Sequence, residues 1–442
     1  MNNFFRIYFP FLITFINKRL ITQTDIVFAA IFGSSAIAAA GIPNNLMIID
    51  QITAMAITPI LSMKIADLYN NNRNQFQFSI EGFLTSLFKL SVILSILGFC
   101  LYPILLKLIV KEDDVLQLSC DSLFWLNLSI VPEFFRYCMS VCLNSCKKGN
   151  FVIAYSCFEV VMNIILNYVF VKCFDFGYVG IYIATFIVSS ITCILTFNKM
   201  KSEYNISIIN IFFKFSKDMF QFLSLIKTSI EFARICVEKI SFLLMICVIN
   251  LLSKSDVVMS AFTISLGIYF LVLMPNIALM RTITVCYIQE KLEFDKYKYK
   301  IIMGGFCLNS CIAVFIFVNK LFIIESIFGI ENHQLAYLTS IYINMVLLLI
   351  PLQAIITFQR GMLYAHEKIK FLALIDIFNY IFFVIPLFII GQIHSSPILT
   401  WSGFFIAQIS CLLFFDIVLH ERFFMFRKKY MTFLNIRADA GL

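Results

Sequence analysis

Asn167-Tyr168-Val169-Phe170 recurs as Asn379-Tyr380-Ile381-Phe382, 212 residues further along the 442-residue chain. A basic residue and a glycine precede each copy by eighteen residues, as Lys148-Gly149 in the first half and as Arg360-Gly361 in the second. Long apolar runs flank both copies. Two similar hydrophobic halves are a common plan of secondary transporters, in which the substrate site lies between the repeats. The repeat therefore favours transport over catalysis.

The composition indicates that most of the chain lies in lipid. Hydrophobic residues make up 61% of the sequence and charged residues only 14%, with a mean hydropathy of +0.90. A soluble domain carries far more charge, about 25% of its residues. A bilayer core needs roughly 20 helical residues for each crossing, so the chain has room for about a dozen crossings. We therefore predict an all-α polytopic membrane protein.

The apolar runs predict twelve transmembrane helices in two homologous six-helix lobes. The predicted spans are 5–32, 40–68, 80–109, 117–146, 151–173, 178–199, 222–251, 257–288, 301–326, 335–364, 369–391 and 397–420. Polar residues from Asn17 to Asp25 interrupt the first apolar run, so we expect a retained span there and no cleaved signal peptide. The predicted domains are an N-lobe at 1–200, a cytoplasmic linker at 201–221, a C-lobe at 222–420 and a basic cytoplasmic tail at 421–442.

Charge sorting predicts the topology. Loops after even-numbered spans carry most of the Lys and Arg residues, and loops after odd-numbered spans carry few. By the positive-inside rule, both termini and the linker then lie in the cytoplasm. We predict a multi-pass, monomeric protein of the inner (cytoplasmic) membrane. The net charge of +8 belongs to these loops and does not indicate nucleic-acid binding.

The sequence offers little that indicates catalysis. The 14 Cys residues include no CxxC pair and no His-Cys cluster with metal-ligand spacing, so we expect no metal and no cofactor. There is no acid pair at a loop edge, no His-Asp cluster and no nucleotide motif, which disfavours a membrane-embedded acyl or glycosyl transferase. We expect that the protein is not an enzyme and that its partners are a small molecule and the lipid bilayer.

Charged residues inside membrane spans are costly, so each is a functional candidate. Asp25 in the first span is a candidate cation or proton site, and the alternative is a salt bridge to Lys18 on the same helix face. Asn163 and Asn167 project from one face of the fifth span, and Thr185 in the sixth adds a hydroxyl. These three either coordinate a cation with Asp25 or form interhelical hydrogen bonds.

The seventh span carries Glu231, Arg234 and Glu238 at spacings of three and four residues, which places them on one helix face. They either line a cavity of the second lobe or form a closed ion network without a role in transport. Glu238 follows Asp25 by 213 residues, which favours a pairing of these two acids by the repeat.

The position of Lys18 and Arg19 depends on where the first span begins. If it begins near residue 5, both residues lie deep in the membrane and face the cavity, where they favour an anionic or zwitterionic substrate. If it begins near residue 20, both are interfacial. Pro10, Pro59 and Pro275 fall inside predicted spans, where proline permits a helix to bend.

Several stretches resemble the signatures of MATE transporters, the multidrug and toxic-compound extrusion proteins of the polysaccharide and lipid exporter superfamily. The resemblance covers nearly the whole chain and depends on the order and spacing of its motifs. Thr24–Phe28 and Gly33–Gly41 look like the first-span signature of that family. Its fifth and sixth spans are similar to a second set of residues, namely Asn163, Asn167-Tyr168, Gly177, Gly180 and Ala184-Thr185.

This resemblance implies an antiporter in which protons or sodium ions drive export. It implies a coupling site formed by Asp25, Asn163, Asn167 and Thr185. Many members have an acid where Asn167 stands, which favours proton coupling here, and Glu238 matches an acid of their seventh span. Members often carry an Asp before the Arg-Gly of the tenth span. The chain has Ile350 or Gln353 there, and Gln353 becomes a candidate substrate contact.

The sequence therefore predicts a cation-coupled antiporter, with the proton as the favoured ion, that exports an amphipathic drug, toxin or metabolite by alternating access. The alternative within the same superfamily is a flippase for lipid-linked oligosaccharides. Lys18 and Arg19 could then contact a pyrophosphate headgroup, although a flippase would need further cations in its cavity.

Overall fold

The computed structural model describes residues 2–32, 36, 39–40, 48–71, 73–109, 113–206, 225–252, 256–327 and 333–419. These residues are almost entirely helical and include no strand. An all-α fold is what the apolar composition requires, because in lipid a helix satisfies all of its own backbone hydrogen bonds.

Twelve helical segments follow one another in the described residues. They are α1 (Asn2–Ala29), α2 (Ile48–Asn71), α3 (Arg73–Ile109), α4 (Asp113–Ser145), α5 (Gly149–Tyr168), α6 (Val179–Tyr204), α7 (Leu225–Leu252), α8 (Asp256–Gln289), α9 (Lys291–Phe322), α10 (His333–Ala365), α11 (Ile369–Asn379 and Ile385–Ile393) and α12 (Pro397–Leu419).

The helices agree with the order of the predicted spans and differ from them mainly at their ends. α3 and α9 begin seven and ten residues before the predicted spans, because Arg73–Ser79 and Lys291–Lys300 stay helical although they are polar. The predicted start of the second span, most of the linker 201–221 and the tail 421–442 lie outside the described residues.

Nine helices in the described part of the chain are long and apolar enough to cross a membrane. The other three, α1, α4 and α7, carry charged residues along their middle turns, which lower their hydropathy. The polytopic all-α class is confirmed, and twelve as the number of crossings stays a prediction. Apolarity alone therefore does not mark these three helices as spans.

Two compact units divide the chain. The first comprises residues 1–242 and 267–301, and the second comprises 243–266 and 302–442. The carboxyl half of α8, which the repeat assigns to the second lobe, therefore packs within the first unit. The lobe boundaries predicted from the repeat stay predictions.

The turn between α4 and α5 has the same hydrogen bonds as the turn between α10 and α11. The Lys148 amide donates to the Leu143 carbonyl, and 220 residues later the Lys368 amide donates to the Leu363 carbonyl, both over 2.9 Å. Lys147 and Glu367 both adopt a left-handed conformation, with φ of 60° and 58°. The repeat is therefore confirmed in this region as a repeat of helices and turns.

The predicted pairing of Lys148-Gly149 with Arg360-Gly361 is wrong. Arg360-Gly361 lies inside α10, before that helix ends at Ala365, whereas Lys148-Gly149 lies at the turn. The two Asn-Tyr pairs keep a local likeness, because each leads into a π-helical turn, at Val169–Cys173 or Tyr380–Val384. The motif marks a π-turn at the end of α5 and in the middle of α11.

An ion pair joins the turn after α4 to the junction of α8 and α9 within the first unit. Lys147 Nζ contacts Glu290 Oε1, and Asn3 Nδ2 of α1 donates to the same carboxylate over 3.0 Å. Desolvation raises the pKa of Glu290, but the hydrogen bonds and charge of Lys147, together with Asn3, outweigh it and hold the pKa below its ordinary value. The pair therefore persists at neutral pH.

α11 and α12 pack closely because of a glycine. A Cβ atom at Gly403 of α12 would lie 2.7 Å from the Phe383 carbonyl oxygen and 2.9 Å from Val384 Cα. Both are backbone atoms of the π-helical turn, so they have little room to move. Close approach at glycine is a common way for membrane helices to gain packing energy.

We expect Gly403→Ala to lower stability by about 1–3 kcal/mol, because the added methyl group forces α12 away from the π-turn. The measurement is the melting temperature in detergent micelles. Gly304→Ala is the matched control, since a Cβ at Gly304 of α9 meets no heavy atom within 4 Å. Equal melting temperatures for the two variants would contradict the close packing.

Candidate functional site

α5 has one buried polar face. Glu159, Asn163 and Asn167 follow one another at intervals of four residues, and each is at most 4% exposed. Ile164 and Ile165 on the other side are 43% and 47% exposed. In a membrane protein this pattern places apolar side chains against lipid and polar side chains against neighbouring helices.

Four side chains, including that of Asp25, form a closed ring of hydrogen bonds. Asn167 Nδ2 lies 2.9 Å from Asp25 Oδ1 and 3.2 Å from Asn163 Oδ1, both of which accept. Asn163 Nδ2 donates to Thr185 Oγ1 over 3.1 Å, and Thr185 Oγ1 donates to Asp25 Oδ2 over 3.2 Å. All four residues are at most 7% exposed. The structure therefore brings together, from α1, α5 and α6, all four residues predicted as the coupling site.

The ring surrounds Asp25 with neutral partners. Asp25 and Lys18 are both described, and no ion pair joins them; Lys18 Nζ lies instead 5.8 Å from the centre of the Tyr137 ring. The buried Oδ1 atom of Asn167 has no hydrogen-bond partner among the described residues. This acceptor is available to a proton on Asp25 or to a small cation.

A buried ion pair lies one helical turn from the ring. Arg136 Nη2 of α4 is 2.8 Å from Glu159 Oε1 of α5, and the two residues are 9% and 4% exposed. The second unit contains a corresponding pair, in which Arg360 Nη2 of α10 is 2.7 Å from Asp376 Oδ1 of α11. Each unit thus has an arginine–carboxylate pair between the two helices that flank the repeated turn.

The sequence analysis missed these two ion pairs. All four residues lie inside predicted spans, so the rule that singled out Asp25 applied to them equally. The spacing of four residues between Glu159 and Asn163 was a further signal, because it places both on one face of the fifth span.

The predicted triad of the seventh span forms an ion network. Arg234 binds Glu231 through two hydrogen bonds of 2.7 and 3.0 Å, and Arg234 Nη1 lies 3.6 Å from Glu238 Oε2. Glu231 is fully buried. The contact-based division groups all three residues with the first unit. Both alternatives, a role in the second-lobe cavity and an ion network without a role in transport, stay predictions.

The remaining predicted residues lie on α1, α2, α8 and α10. Lys18 and Arg19 are exposed and lie well inside α1, which begins at Asn2, so they are not at its start. Gln353 is half-buried in α10. The helices α1, α2 and α8 contain the prolines that were predicted inside spans, namely Pro10, Pro59 and Pro275. The roles predicted for these residues stay predictions.

The first half of the chain also matches a protein family by sequence. Residues 10–169 match the family model MatE. The match includes Asp25, Asn163 and Asn167 and ends before Thr185. Comparison with curated proteins gave no match.

Solved structures match along nearly the whole chain. A eukaryotic MATE transporter, AtDTX14, has a TM-score of 0.79 at 14% identity, with 95% of each chain covered. The chain has the MATE transporter fold. A mutant of the Vibrio cholerae MATE transporter VcmN gives a TM-score of 0.80 at 16% identity, with 95% of this chain and 97% of that chain covered. The predicted resemblance to MATE transporters is therefore confirmed.

A third structure shows that this fold occurs with another kind of pocket. A MOP superfamily transporter from Pyrococcus furiosus, whose binding pocket has reverse polarity, has a TM-score of 0.77 at 17% identity, with 95% of each chain covered. The MATE fold and the nine apolar helices make this chain a multi-pass membrane protein. The fold is that of transporters, which move small molecules across a bilayer. The described residues contain no group of three or more His, Cys, Asp or Glu side chains suited to a metal.

We expect Arg136→Met to lower the stability of this MATE-fold protein by about 3–5 kcal/mol, because it leaves the Glu159 carboxylate buried and unpaired. Adding Glu159→Gln should recover most of the loss. The measurement is the midpoint of unfolding in mixed micelles. Lys148→Met is the control, since the Lys148–Glu203 pair is more exposed and contributes about 1 kcal/mol or less. If Arg136→Met were as stable as that control, the buried Arg136–Glu159 ion pair would be refuted.

Proposed function

We propose that this protein is a proton-coupled antiporter that exports an amphipathic organic compound by alternating access. Its coupling site is formed by Asp25, Asn163, Asn167 and Thr185. The observation that carries the proposal is the closed ring, in which one buried carboxylate meets three neutral side chains within a MATE fold.

The energetics of a buried charge support coupling at Asp25. An ionised carboxylate without a positive partner is several kcal/mol less stable in a low-dielectric interior than in water. A bound proton removes that charge. Proton binding therefore stabilises the state with Asp25 enclosed relative to a state in which water reaches it. A ligand that binds two states unequally shifts the equilibrium between them, which is what an ion-driven conformational change requires.

The oxygen atoms of the ring favour binding of a proton over binding of a sodium ion. The ring contains one carboxylate, and Asn167 stands where the resembled family often has a second acid. Asn163 Oδ1 and Thr185 Oγ1 already accept hydrogen bonds from within the ring. A sodium ion needs several oxygen ligands and would compete with those bonds for two of them, whereas a proton needs only the carboxylate and one acceptor.

Alternating access also requires contacts that open. The Lys147–Glu290 pair, with Asn3, ties together parts of α1, α8 and the α4–α5 turn that are far apart in sequence. In our proposal this ion pair closes one side of the transporter and breaks when that side opens. The positive-inside rule places this side of the protein, and both termini, in the cytoplasm. In our proposal the protein lies in the inner membrane and works as a monomer.

We expect Asp25→Asn to abolish proton-driven export, because the amide has no proton to exchange. The measurement is the export of a panel of cationic and anionic dyes by cells that lack other pumps, with and without a proton gradient. Asp67→Asn is the control, since Asp67 is exposed near the end of α2 and bonds only Asn71. Normal proton-driven export by Asp25→Asn would refute the proposal, and export that follows a sodium gradient would identify sodium as the coupling ion.

One observation favours a substrate with an anionic group, including the lipid-linked headgroup of a flippase. Lys18 and Arg19 are exposed in the middle of α1, where exposed charges are costly unless they meet water or a ligand. We expect the double variant Lys18→Ala, Arg19→Ala to weaken export of anionic dyes more than that of cationic dyes. Equal transport of every dye would show that the two residues do not contact substrate.

A further inference from the structure

One face of α6 carries a row of buried hydroxyl groups. The row begins at the residue before the helix and follows intervals of four and three residues, which keeps its members on one face. Every member is at most 6% exposed. The row consists of Tyr178, Tyr182, Thr185, Ser189, Thr192 and Thr196.

The two ends of the row differ in their hydrogen bonds. Thr192 and Thr196 donate to carbonyls of their own helix, over 2.9 and 2.7 Å, as buried hydroxyls in membrane helices commonly do. Tyr178 and Tyr182 instead share a hydrogen bond of 2.7 Å between their hydroxyl oxygens. Ser122 of α4 lies beside this pair and donates to the Ser119 carbonyl over 2.9 Å. Among the described residues, the tyrosine end of the row has a hydrogen bond between two hydroxyl groups, and Thr185, the next member, bonds side chains of α1 and α5.

This end of the row reaches the Asp25 ring. Thr185, which donates to Asp25, lies on the same face as Tyr182. Tyr182 precedes Thr185 by three residues, so its hydroxyl lies one helical turn from the Thr185 hydroxyl that donates to Asp25. Glu133 of α4 is a charged group near Asp25. Tyr178, Tyr182 and Ser122 are all neutral, so this end of the row adds no buried charge.

A second observation indicates that the ring receives a mobile ligand. Asn167 takes part in the ring through Nδ2, whereas its Oδ1 atom is buried and has no hydrogen-bond partner in the described residues. A buried acceptor without a partner costs about 1–3 kcal/mol, so it marks a place where a donor is missing. A proton on Asp25 supplies such a donor.

We propose that Tyr178 and Tyr182, with Ser122, form the path by which protons reach Asp25 from water at the Val179 end of α6. This inference rests on the proposed proton coupling and adds the residues that deliver the proton. The tyrosines are positioned to relay protons and are not themselves the coupling site.

The transfer balances without any other reactant. Each hydroxyl oxygen accepts a proton from the preceding donor and passes its own proton onward, so each O–H group is restored. In our proposal, a water molecule forms the last link between the tyrosine pair and Asp25. The net change is one proton lost by water outside and one proton gained by the Asp25 carboxylate, and the return path is the reverse.

The test follows the proton at Asp25 and needs no substrate. Purified protein in lipid films is moved from H2O to D2O buffer at mildly acidic pH, and infrared spectroscopy follows the carboxyl C=O band that is absent in Asp25→Asn. We expect Tyr182→Phe and Tyr178→Phe to slow the deuterium shift of that band by about tenfold or more, since each removes one hydrogen-bonded link. Both variants keep the aromatic ring, and melting temperatures identify any variant that is poorly folded.

Two control variants separate relay from packing. Thr192→Val lies in the same hydroxyl row but bonds only its own helix. Tyr168→Phe removes a hydroxyl from a ring that is 57% exposed. Both should exchange at the wild-type rate. Wild-type rates in both Tyr178→Phe and Tyr182→Phe, with the Asp25 band present, would overturn the relay alone. The lack of any Asp25-dependent band between acidic and neutral pH would overturn proton coupling itself.

Discussion

The charge of one carboxylate inside a membrane-embedded bundle is the constraint on which the site depends. Within the described part of the chain, Asp25 has no cationic partner, and three neutral side chains from two other helices enclose it. This requirement explains why α5 presents its polar face inward and why α6 places Thr185 against α1. The enclosed site is stable when Asp25 is protonated and less stable when Asp25 is ionised. This difference between the two charge states suits the site to energy coupling.

The two halves repeat their scaffold more faithfully than their chemistry. The turns at Lys148 and Lys368 share their hydrogen bonds, and both halves pair an arginine with a carboxylate between the flanking helices. Among the described residues, the ring around Asp25 has no such counterpart. Conserving the scaffold while changing the inner residues lets one half bind the coupling ion and leaves the other free to serve a different purpose.

Sequence patterns could predict the helices and the ring because both depend on local rules. Apolar length gives the spans, and a spacing of four residues puts Asn163 and Asn167 on one face. The pairing of Lys148-Gly149 with Arg360-Gly361 was wrong because similar dipeptides need not occupy equivalent positions. One of them lies at a turn and the other lies inside a helix. The Arg136–Glu159 pair, and the choice of Asn167 over Lys18 as partner of Asp25, depend on how helices pack, which spacing along one helix does not determine.

The three helices with charged middle turns have a consequence for biosynthesis. A charge at the centre of a helix adds roughly 2.5–3.5 kcal/mol to the free energy of insertion into the bilayer. α1 carries Lys18, Arg19 and Asp25, and its partner residues in α5 lie more than a hundred residues later in the chain. At the usual speed of synthesis that interval lasts on the order of ten seconds. α1 is therefore expected to enter the bilayer stably only once α5 and α6 have been made, so that insertion and folding of this half are a single event.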